Sequence, residues 1–375
     1  MIGGLRLRRL LLWALAPIAA LAFSLVASSV ALLLIHKDPL TAFHQMLSYG
    51  LQGSQVISIV NRATPLYLSA LAVAIGFKMN LFNIGVEGQY YLAALLAATF
   101  GAAIHLPAPI HILLILLVAM GVGATWSGVA GVLKVTRGVH EVISTIMLNF
   151  IAVGVGSYLL QRYFAAKTSA ADLITRTKPI PASGLFPSID KLFGIRNPIE
   201  PLSGFVLVAA LVGIVYYVLV WRTRFGFDLR ASGVNPDAAR ASGVNPRAMV
   251  LKTMLLSGAI AGLVGMMYLL SFFGAYTLDF PTGLGFTGIA VALVGRNHPV
   301  GMGLAAMLFG FLEVSAQILD LNGVPKEVIQ IMEGIIILSV VIAYELVRRL
   351  IQSQDVRAAA QRSRQSAPQA QEVPA

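Results

Sequence analysis

Three carboxylates, Glu87, Glu313 and Glu333, interrupt long apolar stretches of this 375-residue chain. A charge at the centre of a bilayer costs about 2.5–3.5 kcal/mol on insertion scales, so each requires a partner or a water-filled path. Glu87 lies in Asn83-Ile-Gly-Val-Glu-Gly-Gln89, where Gly85 and Gly88 weaken a continuous helix. A helix broken there frees backbone groups that protein or a wet cavity must satisfy. Two readings stand for Asn83, Glu87 and Gln89. Either the segment lines the route of a polar solute, or Glu87 caps or bridges neighbouring helices. Asn149 follows Glu141 by just over two helical turns, so both point into the bundle, where Asn149 either lines the same route or joins helices through its amide. Glu313 and Glu333 read as interhelical hydrogen-bonding groups.

A second constellation is polar and basic. Arg222 to Met249 reads RTRFGFDLRASGVNPDAARASGVNPRAM, with ASGVNP at 231–236 and again at 241–246. Asn235 is a natural helix N-cap, and Pro236 fits the first turn, where its missing N–H has no partner to lose. Asp237 falls where the helix dipole favours a negative charge, and Gly243 can end the helix in a left-handed conformation. Asn245-Pro246 repeats the start signal before the next apolar stretch. The pattern predicts a short, separately capped helix at a membrane surface, with Arg240 on its exposed side.

Several chemistries are excluded. The chain has no cysteine, hence no disulfide, thiolate metal site or thiol nucleophile. His140-Glu141 opens like a zinc-protease helix, but Ser144 takes the second histidine's place and the other histidines are scattered. No serine stands in a Gly-x-Ser-x-Gly elbow, and there is no Gly-x-x-x-x-Gly-Lys-Ser/Thr phosphate loop. No catalytic residue, bound cofactor or metal site is expected.

The elements that position these groups follow from composition. The chain is 57% hydrophobic and 11% charged, against about 25% charged in an ordinary soluble domain; its mean hydropathy is +0.81. This predicts an all-α, polytopic membrane protein. With about 20 apolar residues per span, ten spans are expected, at 10–35, 56–77, 81–104, 110–133, 142–163, 202–221, 250–277, 280–296, 300–320 and 327–347. The second is weakened by Asn61, Arg62 and Pro65; the eighth is short and glycine-rich and enters the membrane partway. With both termini inside, 18 of the 27 Lys and Arg fall on the inner side, as the positive-inside rule requires. The net charge of +11 therefore reads as membrane orientation, and no nucleic-acid partner is expected. Residues 1–350 form the transmembrane domain, with a Pro-rich outer loop at 165–201, and 351–375 form a disordered cytoplasmic tail. Gly258-x-x-x-Gly262 and the series Gly123, Ser127, Gly131 predict close helix contacts.

Four segments, NLFNIGVEGQYYLAA at 80–94, GVHEVISTIMLNFIA at 138–152, FGFDLRASGVNPDAARASGVN at 225–245 and GFTGIAVALVGRNHPVG at 285–301, resemble one family in their order. They are similar to the permease subunits of bacterial ABC importers of the branched-chain amino acid, ribose and nucleoside type, closest to the nucleoside and simple-sugar branch. The resemblance runs from about 10 to 350. It implies a multi-pass protein of the bacterial inner membrane that pairs with a second permease, ABC ATPase subunits that use the ATP, and an extracytoplasmic solute-binding protein. It also implies that the cytoplasmic loop at 222–249, with Asn235, Asp237, Arg240 and Gly243, couples to the ATPase. Two residues depart from the pattern: His140 where an asparagine is expected, and Glu333 where a glutamine is usual. The expected cargo is a nucleoside, with a simple sugar or other small polar metabolite as the alternative. An ion-coupled secondary transporter using Glu87, Glu313 or Glu333 is a third reading.

Overall fold

The computed structural model describes residues 22–166, 174–194 and 200–325, with 327–332, 334–339, 342–343, 346–347, 349 and 353. Glu333, the first part of the first predicted span and the predicted tail after 353 lie outside the described residues. Among those described, the architecture is helical, with three isolated β-bridges and no named strand. The helices are α1 (Ala22–Leu34), α2 (Pro39–Gly50), α3 (Gly53–Phe77), α4 (Val86–Ala103), α5 (Ala108–Arg137) and α6 (Glu141–Leu159). Then come α7 (Phe205–Arg222), α8 (Arg224–Val234), α9 (Pro236–Ala241), α10 (Pro246–Gly262), α11 (Leu284–Val294) and α12 (Pro299–Leu321). Among the described residues, five are long and apolar enough to cross a membrane: α3, α5, α6 with its π-helical extension to Phe164, α7 and α12. A sixth is gained if α1 and α2 count as one bent span.

Three further predicted spans are shorter or interrupted, for identifiable reasons, while the tenth, 327–347, is helical where described and lies partly outside the described residues. The segment at 81–104 becomes helical only at Val86, because Asn83 and Gly85 hold an irregular lead-in. The segment at 250–277 is not one helix. α10 stops at Gly262, turns through Leu263–Gly265 and resumes as a π-helix over Tyr268–Phe273, which Gly274 ends at φ +64°. α11 has 11 residues, about 17 Å at 1.5 Å per residue, against a hydrocarbon core of about 30 Å. The weak second span is instead a continuous helix of 25 residues despite Pro65.

The chain divides into two compact units, residues 45–318 and residues 1–44 with 319–375. In the smaller one, Lys37 Nζ donates to the Asn322 carbonyl at 2.9 Å. In the larger one α3 is central, with 78% of its apolar window buried, against 28% for α5, α6 and α7. The outer helices instead expose apolar stripes, such as Leu207, Leu211, Ile214 and Val218 on α7, a face suited to lipid. α10 packs chiefly on α5, and the predicted small-residue series meet there. A Cβ on Gly123 would stand 2.2 Å from the Gly258 carbonyl oxygen, and one on Gly262 would stand 2.1 Å from that of Ala119. Only glycine permits this approach. α11 lies as tightly on α3, where a Cβ on Gly288 would meet Ser69 Oγ at 1.9 Å.

Candidate functional site

Short helices that begin inside the protein leave N–H groups without intrahelical partners, and a bilayer offers no water to take them. Three buried side chains do so here. Asn83 Oδ1 accepts from Gly85 N at 3.0 Å, and Asn149, projecting from α6, accepts from Gly88 N at 2.9 Å. These bonds cap the start of α4. Glu87, in the first turn of α4, accepts from Gly283 N at 2.6 Å and Gly285 N at 2.8 Å. Its carboxylate therefore caps α11 from a different helix, at the end where a dipole favours negative charge. The Tyr90 hydroxyl completes the arrangement, lying 2.8 Å from Glu87 and 2.9 Å from the Pro281 carbonyl.

The other polar groups are paired as closely. Asn83 and Gln89 exchange reciprocal amide bonds at 3.0 and 2.9 Å, and Asn83 also donates to Ser257 Oγ at 2.8 Å. Ser257 in turn donates to the Ala72 carbonyl at 2.6 Å. Asn149 Nδ2 donates to the Ile84 carbonyl at 2.9 Å. The structure thus brings Asn83, Glu87, Gln89 and Asn149 together, all buried and all bonded to protein. Glu141 is tied separately. It pairs with Lys134 of α5 and accepts from Phe82 N at 3.4 Å. His140 caps α6, its Nδ1 accepting from Val142 N at 3.3 Å. That is work an asparagine would also do, so the departure at 140 keeps the cap.

At the C-terminal end of α3 the polar loop is built as two helices. Thr223 caps α8, accepting from Gly226 N at 3.1 Å, and Arg230 donates to the Val220 carbonyl at the end of α7. Gly233 presses α8 against the backbone just after α3, for its Cβ would stand 2.6 Å from the Lys78 carbonyl. Lys78 lies over the Trp221 ring at 5.0 Å. Burial, and then the nearby Arg230 charge, pull its ammonium below the ordinary lysine pKa. Asn235 then caps α9, accepting from Asp237 N and Ala238 N at 3.0 Å each. Gly243 follows at φ +83°, and Asn245 caps α10 by accepting from Ala248 N at 3.1 Å. Both copies of Asn-Pro therefore start helices. Asp237 and Arg240 stand 3.6 Å apart and largely exposed, and Val234 at the α8–α9 junction is 88% exposed. A cavity of about 610 Å³ opens beside them, lined by Met79, Lys134, Gly138, Arg240 and Arg247 among others.

A second cavity, of about 270 Å³, is lined by Asn61, Arg62, Glu200, Tyr268, Phe272, Phe273 and Pro281. None of the predicted route residues lines it. The sequence carried one signal for it, the polar pair Asn61-Arg62 that weakened the second span. The aromatic wall depends on the π-helix, which no periodicity announced. Glu313 lies near Arg62, close enough for the two charges to interact.

Apolar crossing helices, half-helices with protein-capped ends and a polar surface helix define a multi-pass membrane protein. The chain belongs to the family described as "Branched-chain amino acid transport system / permease component", which it matches over residues 55–341. It is 35% identical over 348 residues to the guanosine ABC transporter permease protein NupP of Bacillus subtilis, covering 88% of this chain and 94% of that one. It is 33% identical to the glucose ABC transporter permease protein TsgB13 of Haloferax volcanii, over 86% of this chain and 85% of that protein. The nucleoside ABC transporter permease protein NupB of Lactococcus lactis is 26% identical over 88% and 91%. No solved structure matches the chain. The four segments that carried the family resemblance therefore led to the right family.

Proposed function

We propose that this chain is the permease subunit of a nucleoside importer in the bacterial inner membrane. Its partners are a second related permease, ABC ATPase subunits that hydrolyse the ATP, and an extracytoplasmic solute-binding protein. The observation that carries the cargo is the 35% identity, over 88% of the chain, to a guanosine permease, joined by a nucleoside permease of matching length. In this reading ten segments enter the membrane, both termini are cytoplasmic, and α8 and α9 lie on the cytoplasmic face.

The capped α9 seats on the ATPase. A helix held at both ends transmits a push that a slack loop would dissipate, and the Asn245 cap joins it directly to α10. Exposed Val234, Asp237 and Arg240 supply the contact. Asn83, Glu87, Gln89 and Asn149 frame the route by fixing the ends of α4 and α11, so that closure of the ATPase moves α10 against a rigid support.

Labelled guanosine uptake tests this reading. Disrupting this gene, or the gene for its partner ATPase, should abolish uptake. Unchanged uptake in both strains would refute the cargo, and loss of glucose uptake alone would reassign the machine to sugars.

A further inference from the structure

We propose that the 270 Å³ cavity is a nucleoside subsite on the permease itself, with the base held against Phe272 and its aromatic neighbours and the ribose hydroxyls against Glu200 and Arg62. The inference rests on the cargo proposed above and adds a place and a chemistry for it.

The aromatic wall comes first. Bonding from i to i+5 in the π-helix brings positions i, i+4 and i+5 to one side, and here these are Tyr268, Phe272 and Phe273. The Phe273 ring stacks on Tyr268, with centroids 6.0 Å apart and 22° between planes, whereas Phe272 meets Tyr268 only at a 44° tilt. Phe273 is packed again on Phe280 at 6.0 Å. Phe272 thus makes one tilted ring contact against two for Phe273, which leaves its face the freer, and such rings accept any base face by stacking. The polar side is equally specific. Asn61 is spent on the chain after Glu200, donating to the Pro201 carbonyl at 3.0 Å and accepting from Ser203 N at 3.3 Å. That fixes Glu200 beside the cavity with Arg62, and both lie close to Tyr268. A carboxylate accepts from a vicinal diol and a guanidinium donates to it, which suits a ribose.

The volume lies just below the usual range of about 300–1,000 Å³ for small-molecule sites, which favours one compact solute. Asn61 and Lys78 are 17 residues apart along α3, about 26 Å, so the cavity is at the opposite end of that helix from the coupling surface. Pro281, which lines it, is bonded through Tyr90 to Glu87. The subsite is therefore built on the same frame that fixes α11.

The test is guanosine uptake by vesicles containing the intact complex, with ribose and uridine as competitors and ATP inside. Phe272→Ala should raise the guanosine concentration for half-maximal uptake roughly tenfold, in line with the loss of one base–aromatic stack. It should also shrink the advantage of guanosine over ribose as competitor, while Phe272→Tyr keeps both near wild type. Glu200→Gln should weaken guanosine several-fold and leave a ribose-free purine base unaffected as competitor. If the wild-type complex imports no nucleoside, the cargo reading falls and this inference with it. If it imports guanosine but Phe272→Ala and Glu200→Gln match wild type, the cargo stands and the subsite is wrong. Equal losses for Phe272→Ala and Phe272→Tyr, or equal losses for every solute, would mean that the ring only packs or docks a partner, and would likewise overturn it.

Discussion

At the scale of single residues, the buried polar groups resolve into helix caps supplied across the fold. Glu87 is informative because its carboxylate receives two backbone N–H groups of α11, and bonds to a charged group contribute about 1.5–3 kcal/mol each. Glu87→Gln keeps the shape but turns an N–H toward donors, so the purified complex should lose about 2 kcal/mol of stability. Thermal unfolding reads this, and the guanosine-to-uridine preference should stay constant. A changed preference at unchanged stability would place the carboxylate against the solute. The sequence made Glu87 conspicuous, since an acid amid apolar residues must have a partner. It could not name Gly283 and Gly285, which lie almost 200 positions away and meet Glu87 only through folding.

At the scale of elements, two predictions separate packing from coupling. Gly258→Ala adds a methyl 2.3 Å from the Gly123 carbonyl oxygen. The obstacle is backbone that cannot swing aside, so α5 and α10 must part, at a cost of about 1–3 kcal/mol and a lower unfolding temperature. Around α9 the expectation is the reverse. The Asp237–Arg240 pair is exposed and worth at most about 1 kcal/mol, so Arg240→Glu should leave the permease folded. Gly243→Pro replaces a φ of +83° with one locked near −65°, misplacing the link from α9 to α10. Both variants should hydrolyse ATP as assembled complexes while importing little guanosine. Normal import by both would move the contact elsewhere. The caps of α9 and α10 were legible because they are local: Asn-Pro and a glycine specify dihedrals within a few residues. The helix before them, α8, opens with no Asn-Pro start signal and was not foreseen. Nor was the break in α10 at Gly262, for apolar composition marks what lies in a membrane without fixing where a helix stops.

For the whole molecule, uptake of guanosine by the assembled importer is the decisive measurement, and loss of uptake on disrupting the partner ATPase is the expected result. Sequence alone determined what depends on composition and short-range geometry: a helical membrane protein, the positions of most apolar segments, the capped surface helix, the small-residue contacts and the family. Apolar content, N-cap chemistry and four-residue spacing act over a few turns and need no knowledge of the fold. Only tertiary structure decided which segments are full-length helices and which are half-helices. It alone showed that Glu87, Asn83 and Asn149 are consumed in holding helix ends, with Gln89 paired to Asn83, and that a cavity forms where Arg62, Glu200 and three rings of a π-helix converge. Those outcomes depend on groups far apart in the chain competing for the same few hydrogen bonds inside a medium without water, and that competition is settled only when the helices pack.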